Sequence, residues 1–325
     1  MSFDSSTVAM QRLSRRGVIS GLGAGVAALA FTNPRLAMAA APPLKTVTPG
    51  ALTIAINGDM PMTSVKDGVI IGADGEMIAL IATKLGLKPV PALMDWSATI
   101  ESVRGGRADV MLGNMGWTQP RSQVMALTDP IYYTGKFTLT RKDMKVGAKM
   151  SLDDYRGRTL GTVNGFTIVP ELKKIPGAGE VKLYDTTDAC VRDVRAGRCD
   201  FGFLDTPTVS YMVQQNPDWD LKMVPSQPYE GFKVLGQKQI TLIGMNGDNL
   251  DLFDAVNAGI AWLWKSGANA KLLKKYGMES DDYLAGLPND NNPRLGVDRD
   301  EKGAVIGKWA HAPKDFSTVF ASAAL

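Results

Sequence analysis

The sequence predicts an α/β protein built as two successive units of similar plan, each a mostly parallel sheet flanked by helices. Three observations lead there. Short β-branched runs alternate with stretches of helical periodicity, first over residues 52–112 and again from residue 159 to the helix opened at 205–207. A glycine loop follows a strand in each half, at Gly113-Asn114-Met115-Gly116 and at Asn164-Gly165-Phe166-Thr167. Two long extended runs, 131–141 and 240–245, stand on either side of the second unit.

Residues 52–56 are apolar and β-branched and predict a strand ending in the loop Asn57-Gly58-Asp59-Met60-Pro61. After the turn Lys66-Asp67-Gly68, residues 72–85 predict a helix, because Met77, Ile81 and Leu85 recur every fourth position and Gly86 follows where a helix ends. Residues 89–94 return as a strand. Asp95-Trp96-Ser97 opens a short helix with Ile100 and Val103 inward and Gly105-Gly106 closing it, and 108–112 form the next strand. The pattern restarts beyond Arg141-Lys142-Asp143. Ser151-Leu152-Asp153-Asp154 predicts a capping box. Strands follow at 159–163, 181–184 and 199–204, and helices from Val169, over 187–196, and from Asp205-Thr206-Pro207, where proline suits a first helical turn. Residues 251–265 predict an amphipathic helix on Leu252, Val256, Ile260 and Leu263, and a last helix ends at Tyr276-Gly277. From Leu287-Pro288-Asn289-Asp290 the composition is that of a loop, and residues 281–325 form a C-terminal extension with no predicted role.

The N-terminus reads as an address. Ser14-Arg15-Arg16-Gly17-Val18-Ile19 precedes a mildly apolar, glycine-rich run, then Arg35 and the small-residue site Ala37-Met38-Ala39. This is the layout of a twin-arginine-type signal peptide over residues 1–39, cleaved near Ala39, with residues 40–50 as linker. The expected location of the rest is therefore the periplasm. The segment takes four of the chain's 36 basic and one of its 33 acidic residues, leaving 32 of each. A neutral body lacks the basic footprint of a nucleic-acid partner. With one histidine, His311, and two cysteines, no His/Cys metal cluster assembles, and neither a metal nor a cofactor is expected. In an oxidising compartment Cys190 and Cys199 are candidates for a disulfide, typically worth about 2–4 kcal/mol; buried thiols are the alternative.

The loop after the strand at 108–112 carries the chemistry. Glycines bring bare backbone to the surface, and Arg121 follows five residues past Gly116. A guanidinium beside free N–H groups suits a carboxylate, which it holds by two parallel charge-assisted bonds. Asp205 lies at the carboxyl end of a strand in the other unit, where open sheets bind ligands. One fixed cation and one fixed anion in a dry cleft match a small zwitterion.

Several motifs in this order resemble the periplasmic solute-binding proteins of polar amino acid ABC importers (bacterial extracellular solute-binding proteins, family 3). They are Gly72-Ala73-Asp74-Gly75-Glu76-Met77, Gly106-Arg107-Ala108-Asp109-Val110, Gly113-Asn114-Met115 with Thr118 and Arg121, Thr128-Asp129-Pro130-Ile131-Tyr132, and Ala196-Gly197-Arg198-Cys199-Asp200. The resemblance implies a two-lobe, type II periplasmic binding protein fold with a two-strand hinge. Lobe 1 would comprise residues 51–139 plus 242–280, and lobe 2 residues 140–241. It implies that Arg121 binds the ligand carboxylate, assisted by backbone N–H groups of Gly116 and Thr167. Asp205 would receive the ammonium, and Asn114 would fall beside the position whose backbone carbonyl helps. Trp96 and Met60 would stack around the ligand side chain, Asn57 would read it, and Phe166 is a candidate wall. Ala73, Met60 and Met62-Thr63 depart from the family pattern, which leaves side-chain specificity open.

The expected function is capture of an amino acid or similar small zwitterion or carboxylate by a monomer, with delivery to a membrane permease. The same scaffold also supports a dehydratase of prephenate-like acids, but such chemistry needs a carboxylic acid aimed at a leaving group, and only Asp59 and Asp205 occur in the matched loops. A ligand sensor docking a membrane receptor is a third alternative.

Overall fold

The computed structural model describes residues 43–287 and 304–321. The expected signal peptide and its expected cleavage site, together with residues 288–303 and 322–325 of the C-terminal extension, lie outside the described residues.

In chain order the first part holds β1 (Ala51–Ile56), the hairpin β2 (Ser64–Lys66) and β3 (Val69–Ile71), α1 (Ala73–Lys84), β4 (Lys88–Leu93), α2 (Trp96–Arg104), β5 (Val110–Met111), α3 (Gln119–Ser122) and β6 (Ala126–Leu127). Then come β7 (Tyr132–Arg141), β8 (Leu160–Val163), α4 (Val169–Leu172), β9 (Val181–Tyr184), α5 (Thr187–Arg195), β10 (Phe201–Asp205), α6 (Thr206–Gln215) and β11 (Leu221–Val224). The chain returns through β12 (Lys238–Thr241) and β13 (Gly244–Met245) to α7 (Leu250–Ser266), α8 (Ala268–Lys275) and a short α9 (Ser317–Ala321).

Two sheets result. The first has the order β4-β1-β5-β13-β6, parallel through β4, β1 and β5 and antiparallel at β13. The second has the order β11-β7-β10-β8-β9, with β12 also on β7. Two apolar clusters form: one is built on the first sheet, and the other joins Ala55, Met111 and Leu127 of the first sheet to the interior of the second. α1 and α7 supply Met77, Ile81, Leu252, Val256, Ile260 and Leu263 to the first, as the fourfold spacing requires. α5 and the strands around it supply Cys190, Val194, Phe201 and Phe203 to the second.

The crossings differ from expectation. β7 pairs with β12 only over its first half, Gly135 opposite Lys238 to Tyr132 opposite Thr241. From Lys136 onward it belongs to the second sheet, paired with β10 and β11. The two-strand connection is therefore 132–135 with 238–241, which overlaps the extended runs 131–141 and 240–245 without coinciding with them.

The capping box at Ser151 forms, its backbone N–H donating to Asp154 Oδ2 at 2.7 Å. The disulfide does not form: Cys190 and Cys199 are free, buried thiols. Both sulfurs close on Gly161 of β8, where an added Cβ would lie 2.8 Å from Cys199 Sγ and 3.1 Å from Cys190 Sγ. Cys199 Sγ instead donates to the Phe201 carbonyl at 3.3 Å.

The extension has a structural place that its composition did not disclose. Val305, Phe316 and Phe320 are buried in the first core. Phe320 stacks on Trp262 of α7 with ring centroids 6.0 Å apart. His311 and the Lys314 backbone N–H both meet Asp254 of α7, at 2.8 and 2.9 Å. No described helix is long and apolar enough to cross a membrane.

Candidate functional site

The loop between β5 and α3 is set by its backbone. Gly113 (φ 128°) and Asn114 (φ 53°) both lie in the left-handed region, which glycine and asparagine tolerate best. Gly113 also passes so near Asn57 that a Cβ there would lie 2.8 Å from its Oδ1. Asn114 is pinned twice. Its N–H donates to Asp74 Oδ2 at 2.8 Å, and its Oδ1 accepts from Thr241 Oγ1 at 2.8 Å. Thr118 caps α3 through the Arg121 N–H at 3.3 Å, and Pro120 occupies the first turn.

Arg121 is thereby delivered, buried, to the junction of the two lobes. Nη1 donates to the Gly116 carbonyl at 2.6 Å, and Nη2 donates to the Gly165 carbonyl of the second lobe at 2.7 Å. Its guanidinium carbon lies 5.6 Å from the Trp96 ring centroid, within cation–π range. Burial pulls its pKa down to about 10, opposed by the charge of Asp205; it stays cationic at neutral pH. Trp96 is itself buried. Its Nε1 donates to the same Gly165 carbonyl at 3.4 Å, and its ring meets Phe166 edge-on at 5.8 Å. Gly116 faces Thr167 so closely that a Cβ on it would lie 3.2 Å from the threonine methyl.

Asp205 ends β10 and precedes α6, but its side chain makes no capping bond there. Instead it forms a buried ion pair with Lys136 Nζ. The two residues are directly opposite in the antiparallel β7–β10 register, where cross-strand partners meet. Lys136 Nζ also lies 4.7 Å from the Phe166 ring centroid.

The loop after β1 closes the other side. Asp59 Oδ2 accepts from Asn57 Nδ2 at 2.9 Å and, across the lobes, from Thr187 Oγ1 at 2.7 Å. Burial raises the Asp59 pKa to about 6, with the nearby Asp205 adding to the rise and both donors opposing it. Asp74 is fully buried, and desolvation raises it to about 7 against its hydrogen bonds.

The structure thus gathers Arg121, Gly116, Asn114, Trp96, Asn57, Phe166, Thr167 and Asp205 around one junction. Met60 is partly exposed in the same loop as Asn57. Lys136, Thr187 and Asp74 were not foreseen as site residues. Lys136 had a signal, being the one charge in the middle of an otherwise apolar and polar-neutral run over 131–140. Asp74 also had one, since it shares a helical face with Met77, Ile78 and Ile81. A recess of about 730 Å³ lies elsewhere, lined by Arg141, Arg195 and Trp219. Its basic groups have partners already: Arg192 meets Asp188, Arg198 meets Asp193, and Arg195 lies over Trp219.

Two lobes meeting over a buried guanidinium define a class, the two-lobe binding proteins that close on a small solute. Residues 52–279 match the bacterial extracellular solute-binding proteins, family 3, and the chain belongs to that family. It is similar to the probable amino-acid-binding protein YxeM of Bacillus subtilis, 25% identical over 222 residues, covering 66% of this chain and 79% of that protein. It is also similar to the L-cystine-binding protein TcyJ of Escherichia coli, 24% identical over 229 residues, covering 70% and 82%. Among solved structures, the amino acid ABC transporter substrate-binding protein AbpA of Streptococcus pneumoniae bound to L-arginine superposes with a TM-score of 0.62, at 25% identity, covering 70% of this chain and 94% of that one. The chain is accordingly a solute-binding protein of type II fold, and these matches lend the dehydratase alternative no support.

Proposed function

We propose that the protein captures an amino acid or similar small zwitterion or carboxylate between its lobes and hands it to the membrane permease of an ABC importer. It would act as a periplasmic monomer after export and cleavage near Ala39. The observation that carries the reading is Arg121. A buried, charged guanidinium bonds one backbone carbonyl from each lobe, and a ligand carboxylate accepts the same two bonds with greater strength, because both partners are then ionised. Gly116 and Thr167 line that position. Trp96, Phe166 and Met60 offer apolar walls, and Asn57 and Asn114 offer amide groups. The names of the relatives agree with the ligand class.

Calorimetry over a panel of amino acids and small carboxylates tests the reading. Arg121→Met keeps much of the side-chain volume and removes the charge. It is expected to weaken ligand binding about 100-fold or more, the value of a buried charge-assisted pair at about 3 kcal/mol. Unchanged affinity in that variant overturns the assignment.

A further inference from the structure

We infer that the cleft selects carboxylates that carry no α-ammonium group, such as 2-oxo acids, 2-hydroxy acids and dicarboxylates, because Lys136 of the chain itself provides the cation facing Asp205. The inference rests on Arg121 as the group that holds the ligand carboxylate, and it specifies what stands at the ligand's other end.

The geometry is built in rather than adventitious. Lys136 and Asp205 are opposite residues of one antiparallel pair of strands, so the backbone register brings them together without any help from a loop. Both side chains are less than a tenth exposed. The lysine head also lies against the face of Phe166, so the ion pair and the ring contact together fix its position. A buried carboxylate left without its partner is strongly unfavourable, and Lys136 therefore has no inexpensive route out of the cleft.

The remaining charges point the same way. Asp205 acts electrostatically on Arg121 and on Asp59, so all of them share one field. An incoming ammonium has two carboxylates to approach. Asp205 already has a cation, and two cations against one buried carboxylate repel each other where solvent screens little. Asp59 has the oxygen Oδ2 engaged by Asn57 and by Thr187. By contrast, a 2-oxo or 2-hydroxy oxygen, or a second carboxylate, can accept from the Lys136 ammonium, which has three N–H donors.

The test uses the mature protein and acids matched in all but the substituent at carbon 2: glutamate, 2-oxoglutarate and 2-hydroxyglutarate, then alanine, pyruvate and lactate, each by calorimetry. The wild-type protein is expected to bind the oxo or hydroxy acid at least tenfold more tightly than the amino acid of the same skeleton. Lys136→Met frees Asp205 and is expected to move that ratio at least tenfold toward the amino acid. Lys136→Arg, which keeps the cation, is expected to hold the preference and serves if the methionine variant does not fold. A wild-type protein that prefers the amino acid overturns the inference while leaving the role of Arg121 intact, as does a ratio that Lys136→Met leaves unmoved. No binding of either acid in any set overturns the inference, while the role of Arg121 is decided by the wider panel of amino acids and carboxylates.

Discussion

Asp74 offers the sharpest test of the physics of this site, because it is a carboxyl with no exposure that nevertheless fixes the binding loop. Its Oδ2 accepts the Asn114 N–H at 2.8 Å, and desolvation raises its pKa from the ordinary 3.8 to about 7. A carboxyl raised in the folded state binds its proton more tightly there than when unfolded. The folded protein therefore holds more protons between the two values, and stability falls as pH rises through that window. From pH 5 to pH 8 the Asp74 contribution to unfolding free energy declines by about 2–3 kcal/mol, on the order of the shift converted at 1.36 kcal/mol per unit. Asp74→Asn keeps a carbonyl oxygen for the Asn114 N–H and has nothing to ionise. Urea unfolding followed by tryptophan fluorescence at several pH values measures both proteins. Asp59, also raised, gives each curve a shared slope, so the difference between wild type and variant isolates Asp74. The variant is expected to lose less stability between pH 5 and pH 8. Parallel curves would refute an elevated Asp74.

Other perturbations have equally definite outcomes. Thr187→Val removes a donor that lowers the Asp59 pKa, so the midpoint of that carboxyl is expected to move above 6, read by carbon-detected NMR titration. Glu171, buried, accepts backbone N–H bonds from Val234 at 3.1 Å and Leu235 at 2.8 Å. Glu171→Gln halves its acceptors and is expected to cost about 1.5–3 kcal/mol in urea unfolding. Phe320→Ala opens a cavity beside Trp262 and is expected to cost about 3–5 kcal/mol by the same measurement. Alkylation without reductant is expected to label two thiols only after unfolding, because Cys190 and Cys199 are free and buried; no labelling in urea would restore the disulfide.

Much of the fold was legible because its elements announce themselves locally. The fourfold repeat of Met77 and Ile81 marks α1, and the β-branched run at 52–56 marks β1, since each depends on one periodicity. Arg121 and Asp205 were legible as candidates because a glycine loop and a strand end are local signals. What the sequence hid is pairing between distant segments. Nothing near Lys136 says that it stands opposite Asp205, because that follows from the register of β7 on β10. The point where β7 changes partners was hidden for the same reason. Val305, Phe316 and Phe320 have no signal in the sequence because three apolar residues scattered through a polar extension have no period; only the first core, in which all three are buried, gives them a common place.

The change of partners at Lys136 bears on how the cleft opens. Residues 132–135 travel with the connecting strand, whereas 136–141 are riveted to the second sheet. Parting the lobes therefore severs the grip of Arg121 on Gly165 and of Thr187 on Asp59, yet carries Lys136 and Asp205 away together as a single unit. The half of the jaw that holds them keeps its polarity in either posture, so what a solute meets on arrival is already the surface it is finally enclosed by.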